Sequence, residues 1–150
     1  MKKLTLLPAL FCLLILSATS CDTGVSSSST SDPTTLINTV KQGTWKITNF
    51  VDSGTDETSH FTGYNFTFGA SNAFSATNGT NTYPGTWQVA SDDDVNNPSG
   101  LKFTIAIASP TDFADLSDGW KVSTYSSTTI YLVDTSGGGS GTDVLVFTKN

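Results

Sequence analysis

One short segment, which ends in a histidine, contains the residue types best suited to acid–base chemistry. His60 is the single histidine of the chain, and it follows the acidic and hydroxyl residues 56–59. A serine hydrolase also needs a nucleophile on a sharp turn, typically within a Gly-x-Ser-x-Gly pattern. Residues 138–142 depart from that pattern at the last position, where Thr142 replaces glycine. We therefore interpret His60 as a solvated loop residue, and the sequence predicts no catalytic residue and no enzyme.

Carboxylate clusters are the second candidate chemistry, because calcium prefers oxygen ligands. The densest cluster is Asp92–Asp94, but consecutive residues point in different directions, and the alternating Asp-x-Asp-x-Asp-Gly pattern of a calcium loop is not present. Asp112, Asp115 and Asp118 have a spacing that would place them on one face of a helix. Capping of turns and helices, together with solubility, explains both sets of aspartates. The sequence offers no set of ligands for zinc. The sequence predicts no metal and no cofactor.

Aromatic side chains are the third candidate chemistry, because an exposed ring on a sheet can stack on the apolar face of a sugar. Trp120, Tyr125 and Tyr131 fall in adjacent predicted strands. Alternation by itself does not decide whether these three face the core or the solvent, so a sugar-binding surface stays an open alternative.

The first twenty residues have the three parts of an export signal: Lys2 and Lys3, an apolar run over Leu4–Leu16, and the small or polar residues 17–20. The apolar run is shorter than the roughly 20 residues that a membrane-spanning helix needs. We therefore predict a signal peptide over residues 1–20 that is removed.

Residues 18–21, Ala-Thr-Ser-Cys, resemble a lipobox, at which bacterial lipoproteins are acylated on cysteine and cleaved. Cys21 would be the one cysteine left after cleavage, so a disulfide framework is not expected. Two or three acyl chains give a stable anchor. The sequence thus predicts lipidation of Cys21 and membrane attachment through that lipid, in the cell envelope and at the outer membrane.

The segment after the cysteine is rich in Ser and Thr and almost free of apolar residues, which predicts a flexible tether over residues 21–35. Removal of Lys2 and Lys3 would leave five lysines, no arginine and 13 acidic residues, a formal charge of −8. Such a charge repels phosphate backbones, so nucleic acid is not an expected partner.

Residues 36–150 have the size of one domain and the pattern of an all-β fold, in which short apolar runs alternate with turn residues. Short connections favour an eight-stranded antiparallel meander barrel, in which the first and last strands pair. Asn78-Gly79 predicts a tight turn, residues 137–141 a loose connection, and Ser109–Leu116 one short helix capped by Ser109 and ended by Asp118-Gly119. The predicted strands are 43–51, 61–68, 73–77, 83–90, 101–108, 120–125, 129–134 and 143–148.

The segment Gly43–Trp45 at the start of the first strand resembles the Gly-x-Trp start of lipocalins. The whole stretch 43–149 is similar to the lipocalin-like domains of lipoproteins from Bacteroidetes. The matching elements are residues 43–47, 64–68, 85–87, 115–120 and 141–143. The resemblance implies a barrel whose mouth or interior binds a small apolar or amphipathic ligand. Typical lipocalins pack an arginine over the first-strand tryptophan, and this chain contains no arginine.

Two functions remain open on these grounds: a ligand-binding barrel, and a solid-core barrel that acts as an interaction or accessory module for an envelope protein. Gly-Thr-Trp occurs at 43–45 and again at 85–87, so both tryptophans could fill the core or line a pocket. A connected interior cavity above about 300 Å³, lined by apolar residues and open at one end, would favour a ligand. The small residues Gly63, Ala73 and Ser75 would leave room for one. The candidate core or ligand-lining residues are Trp45, Tyr64, Phe66, Trp87, Phe103 and Trp120.

Overall fold

A closed antiparallel β-barrel dominates the computed structural model, which describes residues 32–135 and 141–150. The predictions for the signal peptide, for Cys21, for the tether up to residue 31 and for residues 136–140 lie outside these residues. The strands are β1 Trp45–Asp52, β2 Thr55–Asp56, β3 Asn65–Phe68, β4 Ala73–Thr77, β5 Thr82–Ser91, β6 Leu101–Ala106, β7 Gly119–Tyr125, β8 Thr129–Asp134 and β9 Asp143–Lys149.

From β3 to β9 each strand pairs with the next along the chain, and β1 pairs with both β3 and β9. The two residues of β2 extend β1 at its end, so the barrel itself has eight strands. The predicted fold class is confirmed, including the pairing of the first strand with the last. Closure matters because it removes the unpaired edges that would otherwise attract other strands.

The second predicted strand begins too early. Residues Thr58–Phe61 form a 3₁₀ helix, and β3 starts at Asn65. The turn brings the ring of Phe61 to 5.3 Å from that of Phe50. Burial of Phe61 against the core is more favourable than continuing an extended chain, and the local apolar pattern does not distinguish the two.

A β-bulge in β1 changes which side chains face inward. The pairing with β9 shifts register between Ile47 and Asn49, so Phe50 is fully buried while Val51 is half-buried. Strict alternation from Trp45 and Ile47 would place Val51 inside, but the extra residue of a bulge reverses the faces that follow it.

The faces of β4 are also opposite to those predicted. Phe74 and Ala76 are buried, whereas Ala73 is exposed and Ser75 is half-buried. The small inward residues that would leave room for a ligand are therefore replaced inside the barrel by a phenylalanine and an alanine. Gly63 is exposed in the turn before β3. Alternation in β6 is as predicted, with Leu101, Phe103 and Ile105 buried.

Two α-helices accompany the strands, and their buried side chains pack against the barrel core. Helix α1, Pro33–Val40, starts three residues before the predicted domain boundary at residue 36, and the Asp32 side chain caps it by accepting a hydrogen bond from Thr34 N. Helix α2 is shorter than predicted, at Thr111–Ala114, and Pro110 is its first flanking residue with no side-chain cap. The predicted cap by Ser109 and the end at Asp118-Gly119 are wrong, since Gly119 already begins β7.

The antiparallel order defines two ends of the barrel. We call the end where β1 starts the helix end, because α1 leads into it; it also carries the β3–β4, β5–β6 and β7–β8 connections. The opposite end, with α2 and the remaining connections, is the far end. Within residues 32–135 and 141–150, no helix combines the length and the apolar character of a membrane-spanning segment.

Candidate functional site

The interior of the barrel is filled by its own side chains. Phe68 is the centre of this packing, with its ring 5.2–5.5 Å from the rings of Phe74, Trp87, Phe103 and Phe147. All five side chains are at most 5% exposed. Because a small barrel has room for little more than its own inward side chains, these rings occupy the volume that a ligand in the interior would need.

Both ends are closed as well. At the helix end, Leu36 and Val40 of α1 are completely buried. At the far end, the ring of Phe113 in α2 lies 5.2 Å from that of Phe61, 4.9 Å from that of Tyr64 and 5.0 Å from that of Tyr83. A hydrogen bond with Tyr64 raises the pKa of Tyr83. The two mouths through which a barrel ligand would enter are thus occupied by side chains.

The candidate residues of the sequence analysis all belong to this packing. Trp45, Phe66, Trp87, Phe103 and Trp120 are buried members of the core, and Tyr64 packs against it. Each indole N–H is satisfied by a backbone carbonyl, which lets the rings be buried at low polar cost. The pairs are Trp45 Nε1 to Val40 O at 2.9 Å, Trp87 Nε1 to Gly69 O at 3.1 Å and Trp120 Nε1 to Leu116 O at 3.1 Å.

A lysine covers the first-strand tryptophan. Lys149 at the end of β9 places its Nζ 5.8 Å from the centroid of the Trp45 ring, within the range of a cation–π interaction. In this chain, which has no arginine, a lysine of the neighbouring strand therefore lies over the ring of Trp45.

The two Gly-Thr-Trp segments need their glycines for different reasons. Gly43 has a φ of +87°, a conformation that L side chains rarely adopt. Gly85 has ordinary backbone angles, but a Cβ there would collide with the carbonyl oxygen of Ala106 and press on Ile107 and Phe74. The sequence repeat thus reflects one requirement of conformation and one of space.

His60 lies at the far end, on the exposed side of its 3₁₀ helix. Its Nδ1 is 3.9 Å from Glu57 Oε2 and 4.0 Å from Asp112 Oδ2. The neighbouring hydroxyl of Thr58 is used elsewhere, since it accepts a hydrogen bond from Phe50 N at 2.8 Å. Within the described ranges no hydroxyl group is hydrogen-bonded to His60, so the structure assembles no nucleophile–base pair around it.

The cluster Asp92–Asp94 forms an ordered loop that bonds to its own chain. Asp92 accepts hydrogen bonds from Asp94 N and from Asn97 Nδ2. Asp94 Oδ2 forms an ion pair with Lys121 Nζ at 2.9 Å. The hydrogen bond with Lys121 lowers the pKa of Asp94, and the same bond raises the pKa of Lys121. Among the residues described, no group of three His, Cys, Asp or Glu side chains is arranged to hold a metal ion.

The remaining candidate sets do not come together. The spacing of Asp112, Asp115 and Asp118 would place them on one helical face. Helix α2 ends at Ala114, so Asp118 lies beyond it and the three do not share a helical face. Trp120 is 2% exposed, whereas Tyr131 is 36% exposed on the outer surface. These two rings face opposite sides of the sheet and cannot stack on one sugar, although they lie in adjacent strands.

Two hollows formed by the described residues lie at the surface. The larger, about 320 Å³, is an open depression lined by residues 84–86, residues 106–108 and Ser117. Ile107 in its lining is a packed core residue, 3% exposed. The smaller, about 130 Å³, is more enclosed and lies at the helix end between α1, the β3–β4 turn and β5. Neither is the interior cavity that a barrel ligand requires.

Of the residues that line the smaller hollow, Trp87 was a candidate from the sequence, and the others were not. The hollow is lined by Ile37, Lys41, Gly69, Ser71, Asn72, Trp87, Gln88 and Val89. A signal for α1 does exist, since Asp32-Pro33 is a cap followed by a first-turn proline, and Leu36 and Val40 are four residues apart. No local pattern, however, indicates that this helix meets the β3–β4 turn.

No protein-family model matches the chain, and no curated protein matches it. Among solved structures, the chain is similar to the crystal structure of a DUF4847 family protein from Bacteroides vulgatus ATCC 8482. The TM-score is 0.47 and the identity is 16%, and the similarity covers 77% of this chain and 97% of that chain.

Proposed function

We propose that this protein is a lipid-anchored accessory module of the cell envelope, which acts by binding an envelope protein with the outer surface of a solid barrel. The observation that carries the proposal is the filled interior around Phe68, whose neighbouring rings lie at 5.2–5.5 Å. Close-packed cores do not admit a ligand without displacing side chains. We therefore use the resemblance to lipocalins for the fold alone, and we propose no ligand inside the barrel.

The anchor in this proposal is the lipid on Cys21, which holds the mature chain on the outer membrane after residues 1–20 are removed. Helix α1 begins at Pro33, so the tether enters the domain at the helix end. This connection leaves the far end directed away from the point of attachment and accessible to a partner.

The charge of the far end favours a partner with a basic surface. The segments of this end within the described ranges carry seven exposed or half-buried carboxylates and no lysine. An acidic surface attracts Lys- and Arg-rich protein surfaces, and it repels nucleic acid and anionic headgroups. The residues are Asp52, Asp56, Glu57, Asp112, Asp115, Asp118 and Asp143.

Site-specific photocrosslinking in intact cells tests the partner. A benzophenone amino acid replaces the exposed Asp115 at the far end, and in a matched variant it replaces the exposed Gln42 at the helix end. We expect one discrete crosslinked protein from position 115 and none from position 42. The band should weaken when Asp112→Asn and Asp118→Asn are added, because complementary charge speeds association. Equal crosslinking from both positions, or none from position 115, would contradict the proposal.

The anchor and the rival function have their own tests. Replacement Cys21→Ala should move the full chain from the membrane fraction to the soluble fraction, while Cys12→Ala should not. A fluorescent long-chain alcohol, which is apolar and carries no carboxylate, should show no saturable binding to the protein. Binding of one such molecule per chain would instead support the ligand-binding barrel, and it would leave the result for Cys21 unaffected.

A further inference from the structure

The hollow of about 130 Å³ at the helix end is built from three segments that are distant in the chain. Ile37 and Lys41 come from α1 and its end, Ser71 and Asn72 from the β3–β4 turn, and Trp87 with its neighbours from β5. We propose that this hollow binds a short-chain monocarboxylate. This site is separate from the far end and does not depend on the proposed partner.

Its apolar wall is rigid. Trp87 is 5% exposed and Val89 is 6% exposed, and Ile37 packs against the core. The indole N–H of Trp87 already donates to Gly69 O at 3.1 Å. Trp87 therefore borders the hollow without a free indole donor, and with Ile37 and Val89 it gives this side of the lining an apolar character that suits a hydrocarbon group.

Its polar wall carries unused hydrogen-bonding groups. The side chains of Lys41, Ser71, Asn72 and Gln88 border the hollow, and none of the four makes a side-chain hydrogen bond or ion pair within the described part of the chain. They supply one ammonium group, one hydroxyl and two amides, all of which can donate to a carboxylate. All four side chains are exposed to solvent, so a ligand with acceptor oxygens would replace water as their partner.

The charge of the hollow selects an anion. Lys41 is the ionisable residue of its lining, and no Asp or Glu takes part, although the chain has 13 acidic residues and seven lysines. A single cation without a neighbouring carboxylate in the lining leaves a local positive potential. A carboxylate held by an ammonium group makes the stronger, charge-assisted type of hydrogen bond.

The turn that borders the hollow keeps polar side chains where glycine fits the backbone better. Ser71 and Asn72 both have left-handed backbones, with φ of +53° and +62°. Glycine adopts this region freely, whereas a left-handed Ser is disfavoured. Sparsely populated conformations of this kind often occur at binding sites. Here they present the Ser71 hydroxyl and the Asn72 amide at the rim of the hollow.

The size of the hollow limits the ligand. An engineered cavity of about 150 Å³ holds benzene, a molecule of six heavy atoms, so a hollow of about 130 Å³ suits a carboxylate with a tail of about three carbons. In the proposed complex the carboxylate lies near Lys41 and Asn72, and the tail contacts Trp87. Butyrate is the probe that matches both requirements.

The test follows the three indole N–H signals of the ¹⁵N-labelled full-length chain during titration with butyrate. We expect a saturable shift of the Trp87 signal, with a dissociation constant of about 1 mM or below, as small ligands allow. Butyramide, which has the same shape and no charge, should bind about tenfold more weakly. No saturable shift with butyrate, or an equal response to butyramide, would overturn the proposal.

Three variants separate binding from folding. Lys41→Gln should weaken butyrate binding about tenfold or more, while Lys46→Gln, on β1 and outside the lining, should not. Asn72→Gly suits the φ of +62°, so it should keep or raise the urea midpoint and yet weaken binding. Unchanged butyrate binding in both Lys41→Gln and Asn72→Gly would show that the hollow is not the site.

Discussion

The hydroxyl of Ser117 supplies the hydrogen bonds that a neighbouring strand would otherwise make with the backbone of Ile107. Ser117 Oγ accepts a hydrogen bond from Ile107 N and donates one to Ile107 O, both at 2.8 Å. Strand β6 ends at Ala106, and Ile107 is 3% exposed, so its backbone groups need a partner. One side chain thus satisfies both polar groups where the ladder stops. Thr58 Oγ1 makes a similar pair of bonds, since it accepts from Phe50 N at 2.8 Å and donates to Phe50 O at 3.4 Å, and that carbonyl also accepts from Glu57 N at 2.9 Å.

The first prediction concerns this contact. Replacement Ser117→Ala should lower the free energy of unfolding by about 1–2 kcal/mol, because it leaves two backbone groups of a buried residue unpaired. Equilibrium urea unfolding measures the change. Ser117→Thr retains a hydroxyl and should recover most of the loss, and Ser127→Ala, at an exposed position, should have little effect. A stable Ser117→Ala variant would mean that water replaces the hydroxyl without loss.

The second prediction concerns the filled interior. Replacement Phe68→Ala removes the ring that contacts four other buried rings, and it should destabilise the protein by about 3–5 kcal/mol. The new cavity is lined by aromatic groups and should take up benzene, which a thermal-shift experiment would detect as a rise in Tm. The unmodified protein should show no such rise. A benzene-dependent rise in the unmodified protein would mean that its interior is not filled.

The third prediction separates two reasons for glycine. Replacement Gly85→Ala should cost about 1–3 kcal/mol of stability, because the new Cβ meets the carbonyl oxygen of Ala106. Gly79 has a φ of +86°, and a Cβ added there would have no atom within 4 Å, so Gly79→Ala should cost about 1–2 kcal/mol from conformation alone. Replacement Gly79→Asn should recover part of that loss, since Asn tolerates the left-handed region. Replacement Gly85→Asn should recover none of the stability lost in Gly85→Ala. Recovery at both positions would contradict the distinction between a glycine needed for space and one needed for conformation.

The fourth prediction concerns acid stability. The pKa of Asp94 is lowered by its hydrogen bond with Lys121, so the charged carboxylate stabilises the fold above the unfolded-state pKa, and this contribution is lost as the pH falls through the folded-state pKa. The pKa of Lys121 is raised by the same bond, so its contribution is lost as the pH rises through its own folded-state pKa. Stability measured by urea unfolding should therefore fall at both extremes.

The variant Asp94→Asn should reduce this dependence at both extremes, because the ion pair is absent throughout. Thr135→Ala is the matched control. It removes the uncharged hydrogen-bond partner of Lys121 at 3.2 Å and leaves Asp94 in place. This variant should retain the acid dependence of the unmodified protein, and an equal loss in both variants would assign the effect to another group.

Much of the barrel was predictable because its signals are local. Alternation along Leu101–Ala106 reports the two faces of a strand directly, and the predicted and observed bounds of β4 and β8 agree. The turn at Asn78-Gly79 was also predictable, and its loop is closed by hydrogen bonds from Thr80 N and Asn81 N to Asn78 Oδ1. The bulge after Ile47 was not, because a one-residue change of register depends on the partner strand β9.

The sequence by itself determined the class of fold, since period-two patterns and turn residues are properties of neighbouring positions. It also determined a surface of net negative charge. The tertiary structure decided that the interior is solid, because the packing of Phe68 against Trp87 and Phe147 joins strands that are far apart in the chain. The tertiary structure likewise decided the position of the hollow of about 130 Å³ at the helix end. Lys41, Asn72 and Trp87 meet there only because barrel closure brings α1, the β3–β4 turn and β5 to the same end.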